Sequence, residues 1–168
     1  MSVRETTLPK SSALAALREP GDFLDCFFGP HGPDPVSTLA AARIALSQMP
    51  GWATRLAALR NALVGPLGLK TGAAPERVSP LTPAAVGDSI GIFRIISLSD
   101  TEVIVGEDDK HLDFRASIFK DDKGFYLATW VKPHNLGGRA YLATIMVFHK
   151  LIVADAMRRV IAARQSDL

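Results

Sequence analysis

A chain of 168 residues with 48% apolar and 21% charged residues is long enough to bury one ordinary core and too apolar to stay disordered. Its formal net charge is only +2, and no run of Lys or Arg concentrates it, which argues against a nucleic-acid surface. Cys26 is the single cysteine, which excludes an intrachain disulfide and a cysteine-rich metal site.

Residues 1–21 carry Arg4, Glu5, Lys10, Arg18 and Glu19 without a sustained apolar stretch, so they read as neither a secretory signal nor a membrane span. The expectation is a cytoplasmic protein with a poorly ordered N-terminal extension over 1–21 and one domain over 22–164. Asp22 to Phe28 is a short apolar segment suited to an edge strand that ends at Gly29-Pro30. Asp34-Pro35 then predicts a helix start, with Asp34 as N-cap, and the helix should reach Met49 before Pro50-Gly51. A second helix follows, with Trp52, Leu56, Leu59 and Leu63 on one face and Arg55 and Arg60 beside them. Residues 70–88 hold Gly72, Pro75, Pro80, Pro83 and Gly87 and read as a loop.

From Ser89 the pattern turns to strands. Ile90 to Ser97 and Thr101 to Gly106 flank a turn, and His111 to Phe119 and Phe125 to Val131 flank another at 121–124. Such sequential hairpins predict an antiparallel meander. The last element runs from Arg139 to about Arg164 with a broad apolar face of Tyr141, Leu142, Ile145, Phe148, Ile152, Val153, Ala156 and Val160. The order predicts an α+β fold in which a curved antiparallel sheet wraps a long C-terminal helix, with two helices inserted after the first strand. Arg158, Arg159 and Arg164 near its end suit the carbonyl end of the helix dipole.

Three segments carry a family resemblance. They are Trp-x-x-Arg-x-x-x-Leu-Arg-Asn at 52–61 with Gly68-Leu69, Gly-Glu-Asp-Asp-Lys-His-Leu-Asp-Phe-Arg at 106–115, and His134-Asn135-x-x-Gly138-Arg139-x-Tyr141 followed by Phe148-His149. In these the chain resembles domain of unknown function family 2867, grouped with the START-like, or helix-grip (SRPBCC), proteins. The resemblance implies a sheet gripping the last helix around an apolar cavity. It also implies a ligand of the lipid, hormone or polyketide kind, or a cyclase or dehydratase activity, and it transfers no catalytic residue. Some relatives are joined to dehydrogenase-like domains, but this chain has no Gly-x-Gly-x-x-Gly run after a strand. Where the family often has Pro before Phe-His, this chain has Val147, which should leave the helix straighter.

Three groups of residues could carry chemistry. His149, on the apolar face of the last helix, could serve a ligand as acid, base or hydrogen-bond donor, or could be a buried histidine satisfied by the backbone. His134, Asn135 and Arg139 open that helix, with Lys132 close by, and either receive an anion or cap the helix. Asp109, His111, Asp113 and Arg115 alternate along one strand face. They read first as an ion-paired row reaching Arg55 or Arg60, and less well as a metal or acid–base site. Cys26, followed by Phe27 and Phe28, reads as a small buried residue and less well as a catalytic thiol.

The leading expectation is a ligand-binding protein without cofactor or metal. Its cavity takes a small, partly apolar molecule with a possible acidic group, walled by Tyr141, Ile145, Phe148, His149 and Ile152 and anchored by Arg139. A cyclase, dehydratase or hydrolase using His149 or His111 is the alternative, and an interaction module beside a dehydrogenase-like partner is a third. A homodimer is compatible with each, a nucleic-acid partner with none.

Overall fold

The computed structural model describes residues 2–47, 83–108 and 110–167. The expected second helix with its Trp52 stripe, together with Arg55, Arg60, Asp109 and most of the loop after residue 69, lies outside the described residues.

The sheet has seven strands, every neighbouring pair antiparallel: β1 (Arg4–Glu5), β2 (Phe23–Pro30), β3 (Ser89–Ile90), β4 (Phe93–Leu98), β5 (Glu102–Asp108), β6 (Leu112–Lys120) and β7 (Gly124–Pro133). Their spatial order is β1-β2-β7-β6-β5-β4-β3. From β3 to β7 this is the expected meander, and β2 closes it by pairing along its whole length with β7. Two helices are described, α1 (Thr38–Ser47) and α2 (Leu136–Ala162). The α+β class and the long C-terminal helix against the sheet are therefore as expected.

Three details differ from the sequence reading. Strand β2 is not the edge, because Arg4 and Glu5 pair with Phe28 and Phe27 outside it. Helix α1 starts after Asp34-Pro35, since Ser37 takes the cap: its Oγ accepts the Ala40 N–H at 3.2 Å. Asp34 instead accepts the Ser166 N–H, which ties the end of the chain down. The strand expected from Ile90 is broken at Gly91, whose φ of 62° favours glycine and separates β3 from β4.

Side chains alternate across the sheet, so β2, β5, β6 and β7 each serve two cores. On one face Phe27, Val103, Val105, Ala116, Ile118, Phe125 and Leu127 meet Ala40, Ala41 and Ile44 of α1 and Val153, Ala156, Met157 and Val160 of α2. The two helices lie side by side there, α1 over β5 and β6 and α2 over β2 and β7. On the other face Cys26, Phe28, Ile104, Phe119, Tyr126, Ala128 and Trp130 surround Leu14. Leu14 belongs to a short 3-10 helix, Ala13–Leu17, in the segment expected as a poorly ordered extension. A fully buried leucine and a two-residue strand make that segment part of the fold.

Helix α2 is unevenly buried. Its C-terminal half supplies Val153, Ala156, Met157, Val160 and Ile161 to the core, whereas Leu136, Phe148 and Leu151 are exposed. Its start is fixed by Asn135, whose side chain accepts the Gly138 N–H at 3.0 Å. At its end Arg164 donates to the Ile161 carbonyl at 3.0 Å, the expected cation at the carbonyl end.

Candidate functional site

Strand β2 reads Phe-Leu-Asp-Cys-Phe-Phe over 23–28, and both of its faces are covered, so an acid in it has nowhere exposed to go. Alternation sends Cys26 and Phe28 to the core around Leu14, and Asp25 with Phe27 to the helix side. Asp25 is only 6% exposed. Opposite it stands His149 of α2, with Nε2 3.0 Å from Asp25 Oδ2. The His149 ring is half-buried and meets Phe23 edge-on, centroids 6.1 Å apart. Ile145 and Ile152, about one turn to either side of His149, are half-buried as well.

The contact has the separation of an ion pair without the direction of a hydrogen bond. Neither Asp25 oxygen and not His149 Nε2 has a well-directed hydrogen-bond partner among the described residues. Buried carboxylates are ordinarily satisfied, because each orphaned oxygen forfeits hydration without return. Close by, Lys150 binds both oxygens of Glu5, at 3.0 and 2.9 Å, and so is already neutralised. Cys26 is inert here: burial, and then the neighbouring Asp25 charge, pushes its thiol up to about 12.

The remaining expected site residues gather elsewhere. His134 Nε2 lies 3.0 Å from Asp113 Oδ2, and Arg115 binds Asp108 at 2.6 Å. The hydrogen bond from Arg115 holds the Asp108 carboxyl below the usual carboxylate range, against a smaller opposing effect of burial. Asn135 lies beside the His111 ring, and the His111 carbonyl accepts the His134 N–H at 2.9 Å. That carbonyl also lies against Gly138 so closely that a Cβ there would collide with it. The segments 106–115 and 134–141 thus form one junction between β6 and the start of α2. Its described ionisable groups are half-buried or exposed, and Lys132 of β7 reaches Glu19 at 2.7 Å beside it. Of the expected row, Arg115 is thus paired with Asp108 and Asp113 with His134, while Asp109 and the expected partners Arg55 and Arg60 lie outside the described residues. Arg139 is exposed at the helix start, and the Asn135 cap already takes the Gly138 N–H there.

Among the expected wall residues, His149 faces Asp25 with half-buried Ile145 and Ile152 about one turn to either side along α2, while Phe148 is 41% exposed. The side chain of Tyr141 lies outside the described residues. Asp25 is the residue that sequence reasoning missed. Its signal was an acid at the centre of an apolar strand, a pattern that demands a partner on a facing element.

No group of three or more His, Cys, Asp or Glu suited to a metal ion occurs among the described residues, and no described helix is long and apolar enough to cross a membrane. The model of a family described as a protein of unknown function, DUF2867, matches residues 19–156. The chain belongs to that family. No curated protein and no solved structure matches it.

Proposed function

We propose that this member of the family binds a small, partly apolar molecule at the seam between β2 and α2, in the manner of a helix-grip protein. Asp25 and His149 form the polar end of the site, and Phe23, Ile145 and Ile152 the apolar wall. The observation that carries this is the buried Asp25 carboxylate, whose oxygens have no well-directed donor among the described residues. A fold seldom maintains such a group for its own stability, and unsatisfied buried polar atoms point to binding or catalysis. The unevenness of α2 supports the same reading, since His149 sits just before the tightly packed stretch that begins at Val153.

Native mass spectrometry of the purified full chain, beside its Asp25→Asn variant, tests this. One organic adduct per chain, present in the wild type and missing from the folded variant, is the expected result. An adduct retained equally by the variant would move the ligand away from the seam.

A second reading is favoured by the Asp25–His149 contact itself. A carboxylate 3.0 Å from an imidazole nitrogen sets two groups that can exchange protons with a substrate side by side, the pairing that general acid–base chemistry uses. A cyclase, dehydratase or hydrolase would use His149 as the proton carrier and Asp25 as its support. Once a turned-over compound is known, that reading predicts a loss of turnover in His149→Gln larger than that in Asp25→Asn, and equal or smaller loss in the histidine variant would contradict it.

A further inference from the structure

Resting on the binding reading above, we infer that the ligand of the Asp25–His149 site is a cation: a primary or secondary ammonium carried on an apolar or aromatic group. The observations concern the sign of the charge and the kind of hydrogen bond left unmet. Asp25 is an acceptor with two oxygens, 6% exposed, and the described residues supply no well-directed donor to either. Among the described residues, the positive group next to it in α2 is accounted for. Lys150, next to His149 in α2, is held by both oxygens of Glu5. Glu5 lies opposite Phe27, on the same face of the sheet as Asp25. Asp25, Glu5 and Lys150 together leave one negative charge there, and His149 offsets it only when protonated.

A carboxylate-bearing ligand would add a like charge to this face and bring no donor for Asp25. An alcohol would bring one donor and leave the charge. An ammonium brings both charge and N–H donors, and charge-assisted hydrogen bonds of this kind are about twice as strong as neutral ones. The edge-on Phe23 ring next to His149 adds a surface that also favours a cation or an aromatic group. Arg139, the residue that would favour an anion, is exposed at the far start of α2. The pattern therefore reverses the charge expected of the ligand from the sequence.

Three compounds of one shape test the inference: phenethylamine, phenethyl alcohol and phenylacetate, titrated into the full-length protein at neutral pH and followed by saturation-transfer NMR and calorimetry. The wild type should bind the amine at least about tenfold more tightly than the alcohol, with no saturable binding of phenylacetate. Asp25→Asn should reduce amine affinity at least about tenfold, and Arg139→Ala should leave it unchanged. The ranking of the three is read on the wild type, so it stands even if a variant fails to fold. Equal or tighter binding of the alcohol, or binding of phenylacetate that depends on Arg139, would overturn the cation inference and leave the binding site in place. Saturable binding of none of them up to millimolar concentration, together with a native mass free of adduct, would overturn the site as well.

Discussion

Two buried carboxylates lie on opposite faces of this sheet, and the chain treats them differently. Glu102 opens β5 on the side of Leu14 and is 7% exposed. Its Oε1 accepts from the hydroxyls of Ser12 and Ser117, each at 2.5 Å, and its Oε2 accepts the Ala13 N–H at 2.7 Å. Every donor it needs comes from the protein, and the result pins the N-terminal segment over the sheet. Asp25, as deeply buried, has His149 at ion-pair distance and no well-directed donor among the described residues. A carboxylate completed by its own chain is a fastening, whereas one left incomplete at a half-buried seam is available to something else. Burial alone separates structural from functional acids poorly, and satisfaction separates them well.

Removing the fastening should have the largest effect. Glu102→Ala strands two buried hydroxyls, takes the acceptor from the part-buried Ala13 N–H and frees the Ser12 turn, so stability in urea should fall by roughly 3 kcal/mol. Proteolysis should then cut first within residues 6–21. Retention of wild-type stability would mean that the two carboxylates do not differ as claimed. Two residues of α2 extend the contrast. Met157→Ala, at a side chain 1% exposed, should cost about 3 kcal/mol, while Leu151→Ala, at one 59% exposed, should change stability by less than about 0.5 kcal/mol in the same urea titrations.

A smaller effect belongs to the junction of β6 and α2. Arg115→Ala should cost under about 1 kcal/mol at neutral pH, because the side chain of its partner Asp108 is 64% exposed and solvent screens the pair. The Asp108 pKa is lowered in the folded protein, so the stability it contributes is present above the ordinary carboxylate range and lost as pH falls through the lowered value. Wild type and variant should accordingly converge in stability in strong acid. A difference that persists there would assign Arg115 a packing role.

Much of the fold was legible because it follows from period and punctuation. The β6–β7 turn is one case, where Asp121 Oδ1 accepts the Lys123 and Gly124 N–H groups at 2.8 and 3.1 Å, the local chemistry that Asp-Asp-Lys-Gly advertises. The start of α1 was misplaced because Asp34 and Ser37 can both cap, and the choice depends on where residues 165 and 166 return. His149 could be singled out from helical spacing. Asp25 could not be paired with it, since 124 positions separate the two and only the packing of α2 over β2 brings them together. The run at 106–115 drew notice for its charge density, yet Asp108 and Arg115 in it pair with each other and Asp113 with His134. Density of ionisable groups marks solubility as readily as chemistry, and one acid in an apolar strand was the stronger signal.

The account turns on Asp25 being left open by the fold, and paired stability measurements on two amide variants test that most directly. Glu102→Gln keeps the shape of its side chain but turns an amide N–H₂ toward donors, and it should lower the free energy of unfolding by roughly 2 kcal/mol. Asp25→Asn removes a buried charge that the protein does not satisfy, and it should leave stability unchanged or raise it by about 1 kcal/mol. A loss in Asp25→Asn as large as that in Glu102→Gln would show that Asp25 is a second fastening, and would contradict its assignment as the polar end of a binding site.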